Sequence, residues 1–312
     1  MAEQRTPTGS SYGETLCELG RLNENVFVLD ADLVKASGTK AFKEAYPDRH
    51  INVGIAEQNL VGVGAGIAAA GAVPFVNTMA NFLAKRACDQ VAISVGYNKL
   101  NVKLVGCYAG LTQEDNGGTH VSFMDIAIMR CVPNITVVAP GDICELRQAI
   151  TWAADYSGPV YVRVAKLLRN SLLGEDHQFE IGKAYRYGSG RELTIVSTGL
   201  ATEIALDSLD ALKAAGIEGQ VLHVPTIKPL DEELLIASVR ETGACLTVED
   251  HSVFGGLGSA VAETLGKHCP TKIVRLGMND SFGLTAKLDF QLEYFGITPE
   301  NIVMQAKSLL EA

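Results

Sequence analysis

The stretch Asn52-Val53-Gly54-Ile55-Ala56-Glu57-Gln58-Asn59-Leu60-Val61-Gly62-Val63-Gly64-Ala65-Gly66-Ile67-Ala68-Ala69-Ala70-Gly71 decides how the chain is read. A short apolar run passes straight into a helix of small residues, with Glu57 at the junction. The neighbours of Glu57 in sequence are small or apolar, so its charge has few partners close by. Desolvation penalises the ionised form of a carboxyl in such surroundings, which makes it a candidate for proton chemistry. A plainer reading is a first-turn Glu that complements the helix dipole.

Outward from this unit, strands and helices alternate. Towards the N-terminus a helix is expected over 10–22, with Tyr12, Leu16 and Leu19 on one face, followed by a strand over 26–30. A polar loop with Asp30, Asp32 and Ser37-Gly38-Thr39 comes next. Towards the C-terminus strands are expected over 73–77, 102–108, 135–139 and 160–164. Helices should fill the gaps: one ending near Tyr97, then 122–130 and 142–155. Continuous apolar strands between helices predict α/β architecture with a largely parallel sheet. The pattern lapses over 167–190, reading as a linker plus an edge strand, and then restarts. Strands at 193–197, 220–223, 245–249 and 272–275 alternate with helices at 201–215, 231–242, 258–267 and 299–310. The expectation is two consecutive α/β domains, residues 1–170 and a smaller 189–312, joined by a linker at 171–188.

Composition narrows the function classes. The 312 residues are 47% hydrophobic and 20% charged, which fits a well-packed protein and excludes disorder. A net charge of −10 with no basic cluster argues against nucleic-acid binding. The seven cysteines are scattered without a C-x-x-C pair, so they read as buried free thiols in a reducing compartment. The start Met1-Ala-Glu-Gln-Arg-Thr-Pro lacks a signal h-region, and the apolar run 60–76 contains Pro74 and many small residues. Neither suggests a membrane, and the expected location is cytoplasmic.

Three stretches could carry chemistry. Gly62-x-Gly64-x-Gly66 lies inside the helix, so it reads as close backbone packing, against another subunit for example, rather than a dinucleotide fingerprint. The Gly-rich loop 110–120 follows the carboxyl end of a strand, where open α/β sheets place ligands. It offers Glu114, Asp115, Asn116, Thr119 and His120. For Glu114 alone a solvated turn is the better reading; for His120 function and structure stand even. Glu249-Asp250-His251-Ser252 before a Gly-rich helix start reads as a structural turn, since two carboxylates would repel an anion at that helix end. H-E-x-x-H, P-loop, G-x-S-x-G and clustered metal-ligand motifs are absent from the sequence.

Several motifs in order resemble the C-terminal half of transketolase: Val53-Gly-Ile-Ala-Glu-Gln-Asn-Leu60, Asp89-Gln90, Gly117-Gly-Thr-His120, Pro225-Thr-Ile-Lys-Pro-Leu230 and Val248-Glu-Asp-His-Ser-Val-Phe-Gly-Gly-Leu-Gly-Ser259. The resemblance covers almost the whole chain. It implies the C-terminal subunit of a split transketolase, with a pyrimidine-binding domain and a transketolase C-terminal domain. It gives Glu57 the role of hydrogen-bonding N1′ of the aminopyrimidine of thiamine diphosphate. That bond favours the imino tautomer, which activates the thiazolium for transfer of a two-carbon unit from a ketose to an aldose. It places Phe82 on the aminopyrimidine face, Met79 where most relatives have a second aromatic, and Asp32 near the thiazolium. His120 matches the His that contacts donor hydroxyls, and Ser37 joins the substrate-binding set.

Departures from the family pattern concern the substrate. Gly9, Tyr108 and Lys166 stand where the usual enzymes grip a sugar phosphate with Arg, His and Arg, and Asn116 replaces an Asp that reads acceptor hydroxyls. Lys lacks the bidentate fork of Arg, and Gly and Tyr carry no charge. The implied substrate differs from the common pentose phosphates, being less phosphorylated or carrying another terminal anion. The Gly-Asp-Gly motif that holds the diphosphate and its metal is also missing, since Gly141-Asp142 lacks the second Gly. The resemblance therefore implies an N-terminal transketolase subunit as obligate partner, in an α2β2 assembly, supplying Mg2+ (or Ca2+) and the diphosphate site. No metal ligand is expected on this chain. The rival resemblances are the beta subunit of a 2-oxoacid dehydrogenase decarboxylating component and a synthase that condenses pyruvate with an aldose phosphate. A third alternative is a non-catalytic subunit that retains only the fold.

Overall fold

The computed structural model describes residues 4–311. The chain begins with strand β1 (Thr6–Pro7), helix α1 (Gly9–Leu22), β2 (Val26–Asp30) and the short helices α2 (Val34–Ser37) and α3 (Lys40–Ala45). Then come β3 (His50–Asn52), α4 (Glu57–Ala69), β4 (Val73–Met79), α5 (Ala80–Lys85) and a π-helical segment, Gln90–Tyr97. β5 (Lys103–Cys107), α6 (Asp125–Cys131), β6 (Thr136–Val138), α7 (Ile143–Asp155), β7 (Val160–Val164) and β8 (Leu167–Leu168) complete the first half. The second half contains β9 (Tyr185–Tyr187), β10 (Leu193–Ser197), α8 (Ala201–Ala214), β11 (Gly219–His223), β12 (Thr226–Lys228) and α9 (Glu232–Thr242). It ends with β13 (Cys245–Ser252), α10 (Leu257–His268), β14 (Ile273–Met278), α11 (Leu288–Tyr294) and α12 (Pro299–Glu311).

These elements form the two consecutive α/β domains that the alternation predicts. A seven-stranded sheet has the order β12-β6-β7-β5-β4-β2-β3, and a five-stranded sheet the order β14-β13-β10-β11-β9. Every pairing in the two sheets is parallel except β12 on β6 and β9 on β11. Strands β5 and β7 are buried at every position, as a parallel strand covered on both faces must be. One face packs Tyr12 and Leu16 of α1 with Leu146 and Ile150 of α7; the other packs Leu60 and Val61 of α4 with Leu83 and Ile126. Gly64 of α4 has no room for a side chain, because a Cβ there would lie 2.5 Å from Val76 Cγ2. This glycine packs on its own sheet, whereas Gly62 and Gly66 meet nothing within 4 Å.

Parallel register aligns the carboxyl ends of the strands. Asp30 sits opposite Asn52, Met79 opposite Cys107, and Cys107 opposite Val164. The loops that leave β2, β3, β4, β5 and β7 therefore emerge along one edge of the sheet, and every candidate site residue lies on or beside them.

Several local expectations are corrected. The helix expected to reach Tyr97 in one piece breaks after Lys85 and resumes as a π-helix. The strand expected to stop at Glu249 runs on to Ser252, with Arg163 paired to Asp250 and the Leu257 and Gly258 N–H groups bonded to Glu249. Strand β12, flanked by Pro225 and Pro229, has no local strand signal; it exists because the edge of β6 is there to pair with. Only Cys107 and Cys245 are buried, while Cys131 and Cys144 are exposed. Short spans of apolar neighbours do not report which way a single thiol points. Among the described residues no helix is long and apolar enough to cross a membrane.

Two buried clusters join the halves. Arg163 of β7 donates to Asp125 of α6 (2.9 Å) and to the side chain (2.7 Å) and carbonyl (2.9 Å) of Asp250 in β13. Glu145 of α7 accepts the Gly141 N–H at 2.7 Å and has His177 and His223 each 2.9 Å from one of its oxygens. Burial alone would raise this carboxyl, but His223, His177 and the Gly141 N–H outweigh it and hold it at about 2 against an ordinary 4.5. A depressed folded-state value stabilises the fold above about pH 4.5, and that contribution is lost as the pH falls towards 2. Glu145→Gln is expected to lower stability at neutral pH by a few kcal/mol, on the order of what breaking a buried pair costs. It should also flatten the fall in stability across that acid window. Denaturant titrations at a series of pH values check both; an unchanged acid slope in the variant contradicts the assignment.

Candidate active site

The site is assembled from the turn after β3. Asn52 ends that strand, and its side-chain oxygen accepts the N–H groups of Asp32 and Gly54, both at 3.0 Å. Its amide nitrogen donates to Asp32 Oδ1 at 3.3 Å. Asp32 (φ 59°) and Gly54 (φ 75°) both adopt left-handed backbone, so one Asn side chain pins two tight turns together. This delivers Glu57 as the first residue of α4, only 2% exposed. Asp32 remains exposed beside Asn52.

Glu57 is not the isolated carboxyl that its sequence neighbours suggest. Its Oε2 accepts a 2.7 Å hydrogen bond from Nη1 of Arg86, which lies 29 residues away. The guanidinium carbon of Arg86 also sits 4.3 Å from the centroid of Phe82, one helical turn back. Phe82 meets the His120 ring edge-on, with centroids 4.9 Å apart and an angle of 72°. Met79 begins this turn, and its sulfur accepts from Gln113 at 3.9 Å; Asn81 donates to the Thr119 carbonyl at 2.6 Å. The loop 110–120 is thus tied to α5, and Asn81, Phe82, Lys85, Arg86, Thr119 and Phe282 line a cleft of 680 Å³. An aromatic face beside a buried carboxylate fits a flat heterocycle with a ring nitrogen at its edge. The planar guanidinium already making both contacts shows that the donor set accepts such a shape.

Ser37, Tyr108 and Lys166 gather elsewhere on the same edge. With Gly9 and Lys35 they line a cavity of 240 Å³. Lys166 reaches Glu114 at 3.3 Å and lies 5.8 Å from the Tyr108 ring centroid. Burial, then Cys107 and Asp115, push the Tyr108 phenol up, so it remains a neutral donor. Ser37 donates its hydroxyl inward to Asp30 at 2.6 Å, and Thr39 and His50 reach the same carboxylate. It lines the cavity without offering its proton to a ligand. Asn116 is exposed at the tip of its loop.

Three other stretches turn out structural. Glu114, expected to be solvated, is 8% exposed and accepts the Leu288 N–H at the start of α11 at 2.9 Å. Burial would raise it, but that N–H and Lys166 draw it below its ordinary value. Glu249 accepts the Leu257 and Gly258 N–H groups at 2.7 and 2.8 Å, so α10 already holds an internal anion at its N-terminus. Burial pushes this carboxyl up to about 7 against those two bonds. Asp142, the remnant of a Gly-Asp pair, caps α7 through the Glu145 N–H at 2.7 Å and accepts Leu173 N–H at 2.9 Å.

A family model described as "Transketolase, pyrimidine binding domain" matches residues 5–170, and one described as "Transketolase, C-terminal domain" matches residues 182–302. The chain belongs to the transketolase family. Among transketolase relatives it is 42% identical to the 6-deoxy-6-sulfo-D-fructose transketolase subunit SqwH of Clostridium sp. (strain MSTE9), covering 96% of this chain and 94% of that protein. It is 33% identical to an apulose-4-phosphate transketolase subunit of Phocaeicola vulgatus over 98% of each. A solved structure described as "Split gene transketolase, inactive beta4 tetramer" superimposes with a TM-score of 0.88 at 40% identity, over 98% of each chain. This transketolase chain is therefore a split-type subunit.

Arg86 and Lys35 line the two candidate cavities without having been expected there from the sequence. Arg86 carries one usable signal, its position four residues after Phe82 on a helix, where an Arg can lie over an aromatic ring. Lys35 carries none, because its place in the cavity depends on how α2 folds back over β2.

Proposed function

We propose that this chain is one component of a two-subunit transketolase that moves a two-carbon ketol unit from a ketose to an aldose with thiamine diphosphate. The Arg86 guanidinium that joins the buried Glu57 carboxylate to the Phe82 face, at the carboxyl edge of the sheet, carries the reading. Bound thiamine diphosphate supplies an electron sink for breaking and forming the carbon–carbon bond. Glu57 holds a proton at N1′ of the aminopyrimidine, Phe82 stacks on that ring, Met79 packs beside it, and Asp32 stands towards the thiazolium. His120 orients the hydroxyls of the donor, and Asn116 those of the acceptor. The diphosphate and Mg2+ (or Ca2+) belong to an N-terminal transketolase subunit in an α2β2 assembly. The use of Asp142 as a helix cap supports that division. We keep the boundaries 1–170, 171–188 and 189–312, with β9 falling inside the linker range yet pairing with β11.

The cavity lined by Lys35, Tyr108 and Lys166 takes the terminal anion of the substrate. Lysines act there as point charges without the paired donors of Arg, so the site grips the anion less specifically than an Arg clamp would. The two relatives act, by their names, on a sulfo-sugar and on a sugar phosphate, which supports a ketose other than the common pentose phosphates.

Assays with the partner present test the reading. Ketol transfer is expected, 2-oxoacid decarboxylation is not, and the chain alone should give negligible turnover. Among donors, a sulfonated ketose should match or exceed xylulose 5-phosphate in kcat/KM. Lys166→Ala should raise KM for anionic donors about tenfold, the scale of one charge-assisted contact. Robust activity without a partner, or a strong preference for xylulose 5-phosphate, overturns the corresponding part.

A further inference from the structure

Arg86 makes, from within the chain, the two contacts that the proposed function assigns to the aminopyrimidine. Its Nη1 donates to Glu57 Oε2 at 2.7 Å, and its guanidinium lies close enough over Phe82 to place Cζ 4.3 Å from the ring centroid. Stacked planar groups need roughly 3.5 Å each, so no second ring fits between the guanidinium and Phe82. On that face of Phe82 the guanidinium and an aminopyrimidine therefore exclude one another. Glu57 has a further need for a partner before any ligand arrives. At 2% exposure, a carboxylate with no cation or donor would carry a large desolvation cost. Arg86 meets that need while itself staying 48% exposed at the C-terminal end of α5, on a long side chain able to swing into solvent.

We propose that Arg86 is an internal plug of the pyrimidine site, standing in for the aminopyrimidine until the cofactor displaces it. The inference rests on the thiamine-diphosphate reading and adds a regulatory element to it. The chain before assembly keeps its buried acid paired and its aromatic face covered. Cofactor loading then exchanges one planar, hydrogen-bonding partner of Glu57 for another, so the measured affinity reflects the competition and not the cofactor contacts alone.

Titration calorimetry of the reconstituted two-subunit complex with thiamine diphosphate tests this. Arg86→Ala is expected to tighten cofactor binding about three- to tenfold, the scale of a half-exposed ion pair together with a cation–π contact. Arg86→Lys retains the charge without the flat stacking surface, guards against a folding defect, and should fall between wild type and Arg86→Ala. A crystal structure of the cofactor-bound wild-type complex should show Arg86 off the Phe82 face and no longer bonded to Glu57. Equal or weaker binding by Arg86→Ala overturns the plug while leaving the cofactor reading intact, as does a bound structure in which the Arg86–Glu57 bond persists. Failure of the wild-type complex to bind thiamine diphosphate at all overturns the cofactor reading, and the plug with it.

Discussion

Glu57→Gln, reconstituted with the partner, is expected to lose ketol-transfer activity by about 10²–10⁴-fold in kcat, the range attributed to a positioned acid–base group. The substitution keeps the size of the side chain and its ability to accept from Arg86. It removes the group that can carry a proton at N1′ and then release it. The loss should fall on kcat more than on KM for the sugar, since Glu57 is joined through Arg86 to Phe82 and does not line the cavity of Lys35 and Lys166. Circular dichroism and thermal melting should match wild type within a few degrees, which separates a lost proton relay from a lost fold. Near-normal turnover would return Glu57 to the structural role of a first-turn carboxylate at a helix N-terminus.

The second large effect is on stability. Arg163→Ala should destabilise the chain by about 3–5 kcal/mol, because it leaves the carboxylates of Asp125 and Asp250 buried without their shared cation. The two respond differently to the same guanidinium. Burial would raise both, yet Arg163 together with His251, Tyr161 and Ser122 outweighs it for Asp125, which is drawn down, whereas burial prevails for Asp250, which is pushed up. The imbalance predicts that Arg163→Met combined with Asp250→Asn recovers part of the loss, since the residue least at ease as an anion becomes neutral. Equilibrium denaturation checks both variants. A loss below about 1 kcal/mol for Arg163→Ala would mean that water reaches the triad and that burial is overstated.

The sequence made the frame legible because the frame is written in short-range patterns. Largely apolar five-residue strands such as 160–164, and the strand–helix junction at Glu57, follow from periodicity, and the parallel sheet follows from their alternation. The site was legible in parts. Phe82 meets His120 and is linked through Arg86 to Glu57, and Ser37, Tyr108 and Lys166 line one cavity, because all follow strand ends and parallel register puts those ends side by side. What stayed hidden depends on pairs far apart in sequence. Nothing near Glu57 announces Arg86, and nothing near Glu114 announces that it will be buried against the start of α11. The extension of β13 through three polar residues belongs to the same class: Asp250 reads as a turn residue until Arg163 is known to face it.

Strand β12 has a consequence for how the chain can be divided. It is contributed by the second half yet completes the edge of the first sheet, lying against β6. A cut anywhere in the linker would strip that edge and leave the N–H and C=O groups of β6 open to pairing with another molecule. The linker is thus a seam in sequence and composition but not in the sheet itself. The smallest piece of this protein that closes its own sheets is the two domains together, so whatever a partner docks against, it meets a single interlocked body.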